Sequence, residues 1–254
     1  MATSGYKSNI TGFSIGTQFE YLDDLRFGLS SRNTIEKIDV DSSASARQKK
    51  QDGNYFDSFI GLNFFYDKRN QKYQTTSGFF SNYDLSMPIL SDTNTLTNND
   101  NFKIFKELYE NNVSTFAFSL RGASSLSGDD IKLSERLYIP GRKLRGFESG
   151  KIGPKDGSDF IGGNYVSTIN ATTTIPKILE NVQSVDIVLF ADAANIWGVD
   201  YDSSLDKSGI RSSVGIGLDW LTPVGPLTFS FAQPITKEPT DIEETFRFNI
   251  GTSF

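Results

Sequence analysis

The 254-residue sequence contains no cysteine and no histidine. Those two absences exclude disulfide scaffolding, thiolate nucleophiles, histidine general bases and ordinary zinc sites. An excess of positive charge is also missing: 25 Lys and Arg stand against 31 Asp and Glu, for a formal charge of −6. Nucleic acid is therefore not expected as a partner, because phosphate tracking needs clustered cations. No apolar run approaches the roughly 18 residues of a spanning helix. The opening stretch MATSGYKSN lacks the basic and apolar regions of a signal peptide. Methionine is scarce at two residues, whereas phenylalanine reaches 21, beside ten tyrosines and two tryptophans. An acidic, aromatic-rich, helix-poor chain fits both a soluble β-sandwich and an outer-membrane barrel, and composition does not separate them.

What the sequence has in quantity is alternation. In PLTFSFAQP, Leu227, Phe229 and Phe231 alternate with Thr228, Ser230 and Ala232. In ETFRFNIGTSF, Phe246, Phe248, Ile250 and Phe254 fall on one face, with Arg247, Asn249, Gly251 and Ser253 on the other. FDSFIGLNFFYD opposes Phe56, Ile60, Leu62, Phe64 and Tyr66 to Asp57, Gly61, Asn63 and Asp67. Period two of this kind marks strands with one apolar and one polar face. About eleven such segments are predicted, near 6–22, 25–38, 55–67, 77–89, 102–110, 113–127, 163–175, 184–197, 211–221, 226–235 and 243–254. The fifth also fits a helical period through Phe102, Phe105, Leu108 and Tyr109. The eighth, VDIVLFADAA, is apolar on both faces over much of its length. No internal repeat and no domain boundary is apparent.

The polar faces carry Gly, Ser, Asn and Thr with isolated charges (Arg26, Arg32, Arg121, Asp192, Asp219, Arg247), which suits a crowded lumen better than an open surface. Short connections (LDD, ENN, TPVG) alternate with long polar stretches at 39–54, 90–101, 128–162 and 198–210. Transmembrane barrels have this asymmetry, with tight periplasmic turns and long extracellular loops. Trp220 and Trp197, at opposite strand ends, would sit in the two aromatic girdles. The expected fold class is all-β: an antiparallel transmembrane β-barrel of outer-membrane type, present as a partial barrel of about eleven strands over 1–254. Single-chain bacterial barrels are even-numbered, so the chain reads as a fragment of a larger one.

Several motifs in order, LRGF at 144–147, GPKDGSDFIGGN at 153–164, FADAANIW at 190–197, DWLTPVGPLTFSFAQPI at 219–235 and the ending FRFNIGTSF, resemble the BamA family of outer-membrane protein assembly factors. DKRNQKYQTTSG at 67–78 resembles the family's turn into a mid-barrel strand, so the likeness covers most of the chain. The block WLTPVGPLTFSFAQP favours this family over the related TamA and two-partner-secretion transporters. The resemblance implies a barrel of sixteen strands preceded by periplasmic POTRA domains, of which this chain begins at the sixth strand.

It also implies roles for particular residues. Arg145, followed by Gly146 and Phe147, would reach into the lumen to meet Asp192, with the glycine allowing close backbone approach and the phenylalanine anchoring the loop. A second acidic family position falls at Thr172, which removes half of the expected charge pairing. An isolated RGF would instead read as a solvated loop arginine. In the last strand, Phe246, Phe248, Ile250, Gly251 and Phe254 would form one side of a seam opening toward lipid. Gly251 matches a glycine at which that strand kinks, although lumen crowding accounts for it equally.

The charged motifs elsewhere carry less. Asp129, Asp130 and Glu135 fit no twelve-residue calcium loop, and no metal or other cofactor is expected. Arg47, Lys49 and Lys50 read as solvated loop, with contact to lipopolysaccharide phosphate as the alternative, and Asp23, Asp24, Asp200 and Asp202 as turn residues. The expected function is non-enzymatic insertion and folding of β-barrel proteins in the outer membrane of a Gram-negative bacterium. Its partners would be unfolded outer-membrane proteins, outer-membrane lipids and, through the POTRA domains, accessory lipoproteins. The alternatives are a TamA-like or two-partner-secretion translocator and the C-terminal barrel of a patatin-like surface lipase. No GxSxG occurs here, so lipase chemistry would lie outside these residues. A passive porin fits poorly, because a loop plugging the lumen opposes free conduction.

Overall fold

The computed structural model describes residues 5–72, 74–109, 112–175, 185–206, 208–222 and 225–250. In chain order the strands are β1 (Tyr6–Leu22), β2 (Leu25–Val40), β3 (Gly53–Asp67), β4 (Gly78–Ser91), β5 (Thr95–Tyr109) and β6 (Asn112–Ser125). Three two-residue strands follow within the long loop: β7 (Gly146–Phe147), β8 (Lys155–Asp156) and β9 (Asp159–Phe160). Then come β10 (Tyr165–Thr174), β11 (Val185–Trp197), β12 (Arg211–Thr222), β13 (Gly225–Thr236), β14 (Glu243–Glu244) and β15 (Phe246–Ile250). Eleven of these make one antiparallel sheet in the order β1-β2-β3-β4-β5-β6-β10-β11-β12-β13-β15, and its two ends do not pair with each other. Each strand lies beside its predecessor in the sheet, as in a meander. Among the described residues no helix is long and apolar enough to cross a membrane.

The two faces of the sheet differ as the alternation requires. One face carries large apolar side chains that remain exposed, among them Phe13, Ile15, Phe64, Phe116, Leu189, Ile216 and Phe231, with Phe13 at 67%. Rows of rings cross the strands on this face: Phe19–Phe27–Phe64 at 5.6 and 5.2 Å, and Phe229–Phe248 and Phe231–Phe246 at 4.8 Å. A surface of that extent would aggregate in water, whereas in a bilayer it is solvated by acyl chains. The opposite face carries amides and carboxylates. Gln18 donates to Asn63 at 3.0 Å, Asn63 to Asn82 and Asp84 at 2.7 and 2.6 Å, and Asn99 to Asp84 at 3.2 Å. This ladder crosses β1, β3, β4 and β5, lining the inner wall with polar groups that satisfy one another.

The buried core lies beneath the loop between β6 and β10. Ile131, Leu137, Ile139, Leu144, Phe147 and Ile152 from that loop pack on Ala123, Val166, Ala194 and Ile196 from the inner faces of β6, β10 and β11. The loop therefore fills the lumen, with Ile139 at 2% and Leu144 and Phe147 at 0% exposure.

Three boundaries differ from the sequence expectation. The predicted loop 90–101 is mostly strand, since β5 begins at Thr95 and pairs with β6 from Thr95↔Ser125 onward. TLTNNDN lacks an apolar face, so period two is invisible there even though the backbone ladder is complete. The helical alternative for 102–109 gives way to strand: Phe102 packs on Phe79 and Phe105 on Phe80, neighbouring β4 residues that point to opposite faces. The predicted last strand 243–254 is divided. Glu243 and Glu244 pair with Phe147 and Gly146 of the loop, and among the described residues Phe246–Ile250 pair with β13. Gly251 and Phe254 lie outside the described residues.

Candidate functional site

The loop between β6 and β10 enters the lumen through paired backbone. Leu137 and Gly163 exchange N–H···O bonds of 2.8 and 2.9 Å across its neck. At its far end sits Arg145. Its Nε and Nη2 donate to Asp192 Oδ2 and Oδ1 at 2.7 and 2.8 Å, a bidentate pair, and its backbone N–H donates to Oδ2 at 3.1 Å. The guanidinium lies over the Phe190 ring, 3.4 Å from the centroid. Asp192 and Phe190 alternate along β11, so one strand supplies both the counter-charge and the π face. Asp192 is 2% exposed, and a carboxylate so placed is tolerable only with its lone pairs filled.

A fourth donor completes this carboxylate: Asn170 Nδ2, at 2.8 Å from Asp192 Oδ1. Asn170 on β10 is the direct cross-strand partner of Asp192. Thr172, which the sequence aligned with an acidic family position, pairs instead with Phe190. The Asn170 amide thus shares Asp192 with Arg145, and among the described residues Asp192 is the carboxylate that forms a salt bridge with Arg145. The same amide donates to the Lys143 carbonyl at 2.8 Å, tying the loop to β10.

Gly146 adopts φ +92°, and a Cβ there would come within 3.2 Å of Ala232 Cβ and 3.3 Å of Ser213 Cβ. Both the conformation and the close approach favour glycine. Ser213 Oγ donates to the Arg145 carbonyl at 2.5 Å. Phe147 is fully buried in the loop core. Phe246 and Phe248 lie on the apolar outer face, at 46% and 43% exposure, and Ile250 pairs with Leu227.

Sequence reasoning missed five further ion pairs in and around the loop. Lys132 Nζ lies 2.8 Å from Glu36 Oε2 and 3.7 Å from Glu135 Oε1, and it also bonds Asp57. Burial alone would lower the Lys132 ammonium, but these three carboxylates more than offset it and leave it raised. Burial raises the Glu135 carboxyl, against the pull of Lys132 and Thr95. Arg136 Nη1 donates to Asp200 Oδ1 at 2.7 Å, so Asp200 is an ion-pair partner rather than only a turn residue. Asp202 is a turn residue, capping the Ser204 N–H at 2.9 Å. Arg211 Nε donates to Asp241 Oδ2 at 2.9 Å, and both side chains are fully buried. These partners stand 30 to 96 positions apart in sequence, apart from the Lys132–Glu135 pair, and no local pattern announces them.

The arrangement is one of ion pairing and strand pairing: it positions a loop and the start of the last strand against an inner wall. Known proteins carry the same architecture. BamA of Neisseria meningitidis is 32% identical over 174 residues, covering 55% of this chain and 22% of that protein. BamA of Neorickettsia risticii is 24% identical over 257 residues, covering 98% of this chain and 34% of that protein. The crystal structure of BamA from Haemophilus ducreyi lacking POTRA domains 1–3 superposes with a TM-score of 0.85 at 25% identity, covering 96% of this chain and 54% of that one. The chain thus spans about a third or less of the length of these two curated relatives. The family model described as the Omp85 superfamily domain matches residues 2–254, and the chain belongs to that superfamily.

Proposed function

We propose that this chain is the last-strand side of an outer-membrane barrel that inserts and folds other β-barrel proteins in a Gram-negative bacterium, without covalent catalysis. The observation that carries this reading is the divided last strand. Among the described residues only five of its residues pair with β13, while its start is held by the lumenal loop. Among the described residues the outer edge of this strand has no partner in the sheet, and such an edge presents the donors and acceptors that template an added strand. Assembly-factor relatives along most of the chain support the same reading. The partners would be unfolded outer-membrane proteins and outer-membrane lipids, with accessory lipoproteins reached through POTRA domains beyond these residues. The other side of the seam would be a first strand that also lies beyond them.

Liposomes test this. Folding of a small reporter barrel, followed by its heat-modifiable gel mobility, should accelerate with a protein that joins this chain to the preceding strands and POTRA domains. The 254-residue chain alone should leave the rate unchanged. Equal acceleration by the short chain would refute the role of the first strand, and no acceleration by either would refute the assembly function.

A further inference from the structure

The last strand changes partner at Thr245. The Thr245 carbonyl accepts from Ala232 N–H of β13 at 2.9 Å, and this is where the β13–β15 ladder starts. Two residues further along β13 stands Pro234, which has no N–H to donate, and the β12–β13 register shifts at the same level, between Ser212 and Ser213. β13 therefore cannot extend the ladder regularly, and residues 241–244 bond to the loop instead. Glu148 N–H donates to the Ile242 carbonyl at 2.8 Å, and Ile242 N–H to the Lys151 carbonyl at 3.1 Å.

One side chain spans the changeover. Arg247 Nη2 donates to the Phe147 carbonyl at 2.7 Å and bonds Glu244, while Nε donates to Glu244 Oε2 at 2.8 Å. The guanidinium lies flat against Gly141: a Cβ there would stand 1.7 Å from Nη1. Arg247 thus belongs to the β13–β15 ladder by its backbone, through its register with Ser230, and to the lumenal loop by its side chain. We propose that Arg247 is a positioning residue of the last strand, the near side of the seam. It fixes the point at which the last strand leaves β13 and holds the strand's start on the loop that Arg145 anchors. This rests on the assembly function proposed above.

The test is amide hydrogen exchange on the protein in the liposomes of the assembly assay, comparing Arg247→Met with Gly141→Ala. The first removes the guanidinium, and the second displaces it from the loop side without altering the last strand. Each should speed exchange at Ile242 and Glu148 about tenfold or more, as loss of charge-assisted bonds opens a local unit, while amides of β2 to β5 stay within about twofold. Reporter folding should slow about tenfold in both, because a strand start without a fixed position must be ordered at each opening. Unchanged exchange in both variants overturns the proposal, as does an equal rise across the whole sheet. Faster exchange with reporter folding at the unmodified rate also overturns it. If the unmodified protein fails to accelerate the reporter, the assembly reading fails, whereas the exchange data still decide whether Arg247 holds the strand.

Discussion

Asp192 is the residue on which the lumenal loop turns. It accepts from Arg145 three times and from Asn170 once, in a site that water barely reaches. Removing the cation alone leaves a buried carboxylate with only the amide, so Arg145→Ala should cost about 3–5 kcal/mol. The double change Arg145→Met with Asp192→Leu should cost less than the single one, since no charge is stranded. Urea unfolding of the barrel in detergent reads both. A second residue-scale effect is pH-dependent. The folded Glu135 carboxyl sits above its ordinary value, so the native state holds its proton more tightly than the unfolded chain does. Its contribution to stability is complete below about pH 4.5, and is lost as pH rises through the folded value. Glu135→Gln should therefore flatten the fall in melting temperature between pH 5 and pH 8. Parallel pH profiles for the two proteins would contradict this.

At the scale of elements, the outer face of β12, β13 and β15 is a continuous row: Ile216, Phe231 and Phe246 in one register, and Leu218, Phe229 and Phe248 in the next. A charge placed in this row meets lipid. Phe231→Arg should destabilise the barrel by about 2–4 kcal/mol if it lies near the bilayer midplane, whereas Phe231→Leu should be close to neutral. Thermal shift of the heat-modifiable band measures both. An arginine tolerated as well as leucine would mean that this face does not contact acyl chains.

The whole molecule is an open sheet with β1 at one end and β15 at the other. β1 spans 17 residues, most of them exposed, and among the described residues nothing in the sheet pairs with its outer edge. Unpaired backbone groups cost several kcal/mol each in hydrocarbon, so such edges seek partners. The 254-residue chain in detergent should self-associate edge to edge, with light scattering after gel filtration giving a mass that rises with concentration. A monodisperse monomer across that range would mean the two edges close on each other.

Eleven strands were legible because a half-buried strand writes its two environments into alternate residues, as Phe246, Phe248 and Ile250 do against Arg247 and Asn249. The pairing of Arg145 with Asp192 came from motif resemblance, not from spacing, since 47 residues separate them. Where a strand has polar groups on both faces, as at Thr95–Asn101, the alternation disappears and only the backbone ladder reveals it. Sequence alone therefore determined the element class, the number of strands in the main sheet and which side chains form its apolar face, all consequences of local periodicity. Tertiary structure alone decided that Asn170 shares Asp192 with Arg145, that Lys132 gathers Glu36, Asp57 and Glu135, and that the last strand begins on the loop. Those outcomes depend on strand register and on where a long loop folds back. Both are set by contacts between residues far apart in the chain, which no local pattern encodes.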